Sequence, residues 1–171
     1  MSGKKTAAAV NWLTGVELEA MVARNANQVT RAAFLGVFAV NTLPKNIGSR
    51  PVLLIVNSDT SNLAGKHWYA IHIDSKHHGE LFDPLAGVMP VSPFLEFWLN
   101  GKTVKWTCND IPIQHPLIPS CGAFALHFIL NRLQFATMKS YILRYFVHHN
   151  DNHSFVKNEL FIRYYVDSLI K

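Results

Sequence analysis

A cysteine followed at once by a glycine, Cys121-Gly122, is the pair of residues with the most suggestive chemistry. The apolar pattern that begins at Cys121 predicts a helix, which places the thiol in the first helical turn. The free N–H groups and partial positive charge at a helix N-terminus stabilise a thiolate, the nucleophilic form of cysteine. Gly122 would let a substrate backbone come close. The alternative is an ordinary buried cysteine that packs among phenylalanine and leucine side chains.

A cysteine nucleophile needs a histidine that holds the proton and an acid or amide that orients the histidine. His67, in the sequence Gly65-Lys-His-Trp68, stands where a loop enters a predicted strand, so its side chain can face a cleft. Asp83 ends the return strand 16 residues later. The two ends of such a hairpin lie close together, so Asp83 can reach the His67 ring. The alternatives are a hydrated loop histidine and an aspartate that forms a turn before Pro84.

Gln114 stands seven residues before Cys121, on a loop that contains Pro116 and Pro119. The two prolines can double the loop back, so that the side-chain amide of Gln114 points at an oxyanion beside Cys121. The backbone N–H of Cys121 would be the second donor. The alternative for Gln114 is a polar loop residue without a catalytic role.

Other residues that can bind metals or react carry weaker signals. We interpret Cys108 as a buried cysteine at the end of a strand. Two groups of histidines flank or fill predicted turns: His72, His77 and His78, and His148, His149 and His153. Neither group has a cysteine or glutamate that completes a ligand set, so we expect no metal site.

The elements that must position these residues follow from the hydrophobic patterns. A capping box from Thr14 to Glu17 predicts a first helix that runs to about Arg31. Further along, the patterns predict strands over Val52–Val56, Tyr69–Asp74, Glu80–Asp83 and Thr103–Thr107, and helices over Pro93–Trp98, Cys121–Phe135, Met138–His148 and Ser154–Ile170, the last with Ser154 as N-cap. This order predicts an α+β fold in which helices, including the one that begins at Cys121, pack on a small central β-sheet.

The composition fits one domain over residues 1–171. Hydrophobic residues make up 49% of the chain and charged residues 16%, which is enough for one core and unlike a disordered chain. The longest apolar runs fall far short of the ~20 residues that cross a bilayer, and the N-terminus does not resemble a signal peptide. Two cysteines exclude a disulfide scaffold, so we expect a protein of a reducing compartment that is not secreted.

The formal net charge of +5 is concentrated in the second part of the chain. Residues 101–171 hold eight Lys or Arg and four Asp or Glu, a net of +4. This basic part is compatible with a polyanion such as DNA, although it contains no dense basic run. A non-enzymatic DNA-binding or structural protein is therefore one class that the sequence leaves open.

In chain order, the motifs Gly-x-His-Trp, Leu-Phe-Asp-Pro and Gln-x6-Cys-Gly-x-Phe resemble the adenain family, the adenovirus-type processing proteases. The resemblance extends upstream to Phe34-Leu-Gly36 and Leu54-Ile-Val-Asn57, and it covers roughly residues 17–135. The Phe-Leu-Gly-Val-Phe and Asn-Thr-Leu-Pro features look most similar to relatives from Polinton or adintovirus elements and from adomavirus-like small DNA viruses.

The resemblance implies a papain-like, adenain-like cysteine protease architecture and a role for each motif residue. Cys121 would be the nucleophile, His67 the general base and Asp83 the orienting acid, where many members of the family have glutamate. Gln114 and the Cys121 amide would form the oxyanion hole. Trp68 would cover His67.

The same resemblance implies substrates and activators. Members of the family cleave capsid and core precursors during virion maturation, commonly after small residues such as glycine, and here Trp68 and Gly122 would border the substrate. No cofactor is required, but DNA and a short virion-derived peptide activate some members, the peptide through a disulfide. The position of Cys108 does not match that of the peptide-linking cysteine. We expect a monomeric viral endopeptidase, without membrane association, in the virion and in the host nucleus or cytoplasm.

A protease that deconjugates SUMO or another ubiquitin-like protein is the nearest alternative, because it shares the His-Trp, Asp, Gln and Cys-Gly order. The spacing from Gln114 to Cys121 and the Phe34-Leu-Gly36 segment favour adenain. A short chain also offers little surface for holding a ubiquitin-like fold. The non-enzymatic alternative, a basic structural or DNA-binding virion protein, requires that four positions match by accident.

Overall fold

The computed structural model describes residues 13–48, 51–88, 90–149 and 151–171. In chain order the structure contains helices α1 (Gly15–Asn25) and α2 (Gln28–Ala33), strands β1 (Phe34–Ala39), β2 (Val52–Asn57), β3 (Trp68–Ile73) and β4 (His78–Phe82), helix α3 (Pro93–Lys102), strand β5 (Lys105–Cys108), and helices α4 (Cys121–Asn131), α5 (Met138–Tyr145) and α6 (Asn152–Leu169). A five-stranded sheet packed by helices confirms the predicted α+β class. The N-terminal residues for which no signal peptide is predicted lie outside the described residues.

The sheet has the strand order β1-β2-β3-β4-β5, so each strand lies beside its neighbour in sequence. The three central strands form an antiparallel meander, whereas β1 is parallel to β2 and β5 is parallel to β4. In the β3–β4 hairpin, Ala70 lies opposite Phe82. The residues just before β3 and just after β4 therefore meet at the same end of the sheet.

Both faces of the sheet are covered, which explains why β2 is an unbroken apolar run. Leu53 and Ile55 face a core shared with α1, α4, α5 and α6. Their neighbours Leu54 and Val56 face a second core, which α3 completes. All residues of β2 are buried as a result.

Helix α4 lies in the larger core and is buried over residues 121–130. A helix that is apolar on all sides is expected at such a place. Because α4 begins at Cys121, the thiol is held at a rigid helix terminus beside the end of the sheet. In the part of the chain that the structure describes, every helix is too short or too polar to cross a membrane.

The first predicted helix is divided in two. The capping box is present: the Glu17 amide donates to Thr14 Oγ1 at 3.3 Å, and the Thr14 amide donates to the Glu17 carboxylate at 3.0 Å. The prediction of one helix to about Arg31 is wrong, because the chain is extended between α1 and α2. There the side chain of Asn27 accepts a hydrogen bond from the Thr30 amide at 2.8 Å, which begins a second helix.

Strand β1 is an element that the sequence pattern did not predict. Gly36 in its middle has a φ of +136° and lies at a bulge in the pairing with β2. Its other residues are all half-buried. In the sequence the segment is a short apolar run with a glycine in it, a pattern that does not by itself distinguish a strand from a buried helix.

The remaining differences concern the ends of elements. Helix α3 continues beyond Trp98, β5 begins after Thr103, α4 gives way to a 3-10 turn before Phe135, and α5 stops before His148. The predicted N-cap Ser154 is also wrong. Asp151 is the N-cap of α6, and its side chain accepts a hydrogen bond from the Ser154 amide at 2.7 Å.

Candidate active site

Four of the predicted residues are brought to the same end of the sheet. His67 immediately precedes β3 and Asp83 immediately follows β4, so the hairpin places both there. Cys121 is the first residue of α4, which packs on β3. Gln114 lies on the loop from β5 to α4, and its backbone N–H donates to the Pro84 carbonyl at 3.0 Å. All four side chains are buried.

Asp83 holds the imidazole of His67 in a buried pair. Asp83 Oδ1 lies 2.7 Å from His67 Nε2, and the two residues are 1% and 2% exposed. The amides of Leu85 and Gly87 donate to the same carboxylate at 2.9 and 3.4 Å. Because Asp83 occupies Nε2, the other ring nitrogen, Nδ1, remains for the thiol of Cys121.

The surroundings of His67 favour its protonated form. Burial alone would lower the pKa of His67, but hydrogen bonds to Asp83 and Cys121 and the negative charges of both groups raise it to about 9. At neutral pH the imidazole therefore carries a proton that it can give to a leaving group. A cysteine beside an imidazolium has the environment of a reactive thiolate.

The two cysteines lie in different environments, and neither forms a disulfide. Cys121 is 6% exposed and borders a cleft. Cys108, at the end of β5, is half-buried, and burial together with the negative charge of Asp83 raises the pKa of its thiol to about 12. The raised pKa leaves Cys108 with little thiolate at neutral pH, whereas Cys121 has an imidazolium beside it.

Gln114 lies on the loop before Cys121 with one amide hydrogen already engaged. Its Nε2 donates to the Ile118 carbonyl within the same loop. Its Oε1 is buried and has no hydrogen-bond partner among the residues that the structure describes. A side-chain amide has two N–H donors, so one is left for an oxyanion. The role of Gln114 stays a prediction.

Trp68 and Gly122 are neighbours, which gives Gly122 a function that the sequence did not suggest. A Cβ at position 122 would lie 3.1 Å from Trp68 Cδ1 and 3.3 Å from Leu13 Cβ. The Trp68 indole is fixed by a 3.1 Å hydrogen bond from its Nε1 to the Leu13 carbonyl. Gly122 therefore leaves room for the indole, and both residues border the cleft at Cys121.

A cleft with a volume of about 350 Å³ opens onto Cys121. Its walls are the start of α1, the edge strand β1, the Trp68 indole and the loop between β2 and β3. His67 and Asp83 do not line this cleft and are almost completely buried. A substrate can thus reach the sulfur, while the histidine–carboxylate pair lies behind it and is almost fully buried.

Asn109 is a residue of the site that the sequence analysis missed. Its Oδ1 accepts from the Asp83 amide at 2.8 Å, and its Nδ2 donates to the Asp83 carbonyl at 2.7 Å. The side chain pairs with the backbone of Asp83 as another strand would, just beyond the last β4–β5 pair, Leu81 and Cys108. The only sequence signal is an asparagine directly after a strand. Nothing in the sequence shows that β5 lies beside β4 at this point.

The backbone and the ring of His67 have further supports. The Ser58 amide donates to the His67 carbonyl at 2.9 Å, which extends the pairing of β2 with β3. Gly65 has a φ of +83°, and a Cβ there would collide with the Asn57 side chain, so the loop requires glycine. The Tyr69 ring packs edge-on against the imidazole, with ring centroids 4.8 Å apart. The glycine of the Gly-x-His-Trp motif is therefore explained by the loop that carries His67.

The histidines considered for a metal site include one with a structural role. His72 Nδ1 lies 2.9 Å from a Glu80 carboxylate oxygen, to which Arg132 Nε also donates at 2.6 Å. Within the described ranges, no three His, Cys, Asp or Glu side chains come together as metal ligands would. His72 thus belongs to a charged network that joins the hairpin to the turn after α4.

Comparisons with known proteins were made by sequence and by structure. No protein-family model matches the chain, and no curated protein matches it. The ASFV pS273R protease superimposes with a TM-score of 0.57 and 18% identity, over 82% of this chain and 65% of its own. The Ulp1 protease domain, solved in complex with Smt3, the yeast ortholog of SUMO, superimposes with a TM-score of 0.51 and 17% identity, over 96% of this chain and 81% of its own.

These structural matches concern the fold. The chain spans 65% of the length of the ASFV protease chain. Identities of this size show a shared arrangement of helices and strands and leave both the activity and the substrate open. The chain has the fold of these cysteine proteases, a five-stranded central sheet packed by helices.

Proposed function

We propose that the protein is a cysteine endopeptidase in which Cys121 is the nucleophile. The observation that carries this proposal is the buried imidazole of His67, which lies 2.7 Å from the Asp83 carboxylate. Cys121 is near enough to help raise the pKa of this imidazole. Charged groups are costly to bury, and their presence next to a cleft is typical of a catalytic site. The fold shared with two cysteine proteases supports the proposal.

The reaction proceeds in two steps through a thioester. The Cys121 sulfur attacks the carbonyl carbon of the scissile bond, and His67 gives its proton to the leaving amine as the C–N bond breaks. His67 then takes a proton from water, which attacks the thioester and releases the second product with a free Cys121. Asp83 keeps the imidazole oriented and stabilises its positive charge.

Negative charge on the carbonyl oxygen needs donors that are already in place. The N–H of Cys121 lies at the N-terminus of α4, where backbone donors have no partner within the helix. The free amide hydrogen of Gln114 is the proposed second donor. Its backbone is tied to Pro84, next to Asp83, which fixes the loop relative to the histidine–carboxylate pair.

We propose virion proteins as substrates, namely capsid and core precursors that are cut during maturation. The support is the resemblance of the motif order to adenain and the fold match to a viral protease. The contact of Trp68 with Gly122 narrows the cleft beside Cys121, which favours small residues such as glycine at the cut. Action as a monomer, in the virion and in the host nucleus or cytoplasm, belongs to the same proposal.

DNA and a virion-derived peptide are the proposed activators. The net charge of +4 over residues 101–171 supports contact with DNA. Cys108 is poorly suited to link a peptide, because its raised pKa of about 12 leaves almost no thiolate for disulfide exchange. We therefore expect a peptide activator to bind without a disulfide.

Deconjugation of a ubiquitin-like protein is the second candidate function. The observation in its favour is the fold match to Ulp1, which covers 96% of this chain and comes from a complex with Smt3. The same three side chains and the same narrow cleft would serve either substrate. The choice between the two functions therefore depends on what the protein cleaves.

Cleavage of two substrates side by side separates these functions. Capsid-precursor peptides with small residues at the cut and a ubiquitin-like fusion protein are incubated with the protein, with and without DNA, and Cys121→Ala is the control. We expect the wild type to cleave the peptides and Cys121→Ala to cleave neither. Cleavage of the fusion alone would favour the deconjugase. No cleavage of either, with an unreactive Cys121, would leave a non-enzymatic DNA-binding or structural virion protein.

A further inference from the structure

The last helix holds the loop that connects the two proposed oxyanion donors, Gln114 and Cys121. Glu159 on α6 accepts hydrogen bonds from this loop, and the Phe155 ring of the same helix packs against His115. Glu159 Oε1 accepts hydrogen bonds from the His115 amide at 3.0 Å and from the Ser120 hydroxyl at 2.9 Å. One of these contacts is adjacent to Gln114 and the other to Cys121. A single carboxylate oxygen thus bonds both ends of the loop.

The hydrogen bonds within the loop are local. The Ile118 amide donates to the His115 carbonyl at 3.1 Å, and the Ser120 amide donates to the Ile118 carbonyl at 2.9 Å. Ser120 occupies the N-cap position of α4, but its side chain makes no capping hydrogen bond to that helix. The Ser120 hydroxyl donates to Glu159 instead, so this serine joins the start of α4 to α6.

Helix α6 supports the same segment at a third point. Asn158, the residue before Glu159, is buried and donates to the Ile113 carbonyl at 2.9 Å. Two consecutive residues of α6 therefore fix the chain at Ile113, at His115 and at Ser120. Burial raises the pKa of Glu159, and the hydrogen bonds from Ser120 and His115 oppose that shift. An acceptor oxygen is present in either protonation state.

We infer that Glu159 is a positioning residue for the oxyanion hole, since its carboxylate sets where the Gln114 amide and the Cys121 N–H stand relative to each other. The inference rests on the proposed function, in which these donors bind the charged oxygen of the intermediate. Such donors must lie about 2.7–3.1 Å from that oxygen. Loss of one support of the loop should therefore weaken catalysis before it unfolds the protein.

Three variants separate positioning from general support of the fold. Glu159→Ala removes the acceptor, whereas Glu159→Gln keeps an acceptor oxygen. Asp167→Ala is the control. It removes another acidic side chain of α6, one that makes no hydrogen bond to the residues that the structure describes. We expect Glu159→Ala to lower kcat on a peptide about 10–10²-fold with KM nearly unchanged. Glu159→Gln should recover most of the kcat, and Asp167→Ala should match the wild type.

The rate at which iodoacetamide alkylates Cys121 is a second readout. If Glu159 only supported the fold, Glu159→Ala would change this rate. Alkylation requires the thiolate but no oxyanion hole, so Glu159→Ala should react at the wild-type rate. Amide hydrogen exchange at His115 measures the support itself, and it should become faster in Glu159→Ala and stay slow in Asp167→Ala.

Several results would overturn the inference while wild-type cleavage is intact. They are an unchanged kcat in Glu159→Ala, unchanged hydrogen exchange at His115, or a parallel fall of cleavage, alkylation and Tm in both Glu159 variants. Failure of the proposed function looks different. The wild type would then cleave no peptide, and iodoacetamide would alkylate its Cys108 as readily as its Cys121. This result would overturn both proposals.

Discussion

At the scale of single residues, the proposed chemistry depends on a proton that His67 holds. Burial lowers the pKa of His67, but the hydrogen bonds to Asp83 and Cys121 outweigh burial and raise it to about 9. The proton is the one that the leaving amine receives. Catalysis should therefore decline at alkaline pH, where His67 loses this proton.

We expect kcat/KM for a peptide substrate to fall as the pH rises through about 9, the raised pKa of His67. In Asp83→Asn the carboxylate that raises this pKa is absent, so the alkaline limb should move to lower pH. The same variant should lose about 10²–10⁴-fold in kcat. A pH series of kcat/KM on both proteins measures the limb. A limb that stays in place, or moves to higher pH, would contradict the role of Asp83.

Gln114 is the second residue whose role can be measured alone. Gln114→Ala should lower kcat by about 10²–10³-fold, because one oxyanion donor is lost. Its Tm should change little, because the Ile118 carbonyl, which loses the Gln114 Nε2 donor, still accepts a hydrogen bond from the Ser120 amide at 2.9 Å. Gln134→Ala, which changes an exposed glutamine in the turn after α4, is the matched control. An unchanged kcat in Gln114→Ala would remove this residue from the site.

At the scale of elements, a buried charged network joins the β3–β4 hairpin to the end of α4 and the start of α5. Glu80 on β4 accepts hydrogen bonds from Arg132 Nε at 2.6 Å and from the Met138 amide at 2.8 Å, and it contacts His72 at 2.9 Å. Burial alone would raise the pKa of Glu80, but the hydrogen bonds from His72 and Arg132 lower it to about 2. The network thus stabilises the fold as long as Glu80 is charged.

Glu80→Gln should lower the free energy of unfolding at neutral pH by about 3 kcal/mol, because Arg132 would remain buried without its counter-charge. A lowered carboxyl pKa contributes stability that is present above the ordinary pKa of 4.5 and is lost as the pH falls towards 2. The difference between wild type and variant should therefore shrink over that range. Urea unfolding at several pH values measures it, with Glu96→Gln on an exposed glutamate of α3 as control. A difference that is small, or that does not depend on pH, would argue against the network.

Local elements explain which parts of the site could be predicted from the sequence. The three residues of the proposed site each stand at the end of an element with a clear sequence pattern: His67, Asp83 and Cys121. Predicting the hairpin and one helix was therefore enough to predict where these residues lie. Strand β1 escaped prediction because its sequence is a short apolar run with a glycine in it, and such a run does not by itself distinguish a strand from a buried helix.

Contacts between distant segments explain what could not be predicted. Asn109 lies 26 residues from the Asp83 backbone that it holds. The parallel pairing of β5 with β4 brings these residues together, and a parallel register has no local signal in the sequence. Glu159 lies 39 residues from Ser120, and the packing of α6 on α4 brings the two together.

At the scale of the whole molecule, two cores on opposite faces of the sheet keep the end of the hairpin and the start of α4 together. The α+β class follows from the order of patterns along the chain, and the structure confirms it. The central claim is that this arrangement activates one cysteine of the two, Cys121, through His67.

Alkylation rates of the two cysteines test this claim most directly. Wild type and His67→Ala are treated with limiting iodoacetamide at neutral pH, and mass spectrometry measures the modification of Cys108 and Cys121 separately. We predict that the wild type is modified first at Cys121, that His67→Ala slows this reaction, and that Cys108 stays slow in both proteins. Preferential modification of Cys108, or a Cys121 rate that does not change in His67→Ala, would contradict the account.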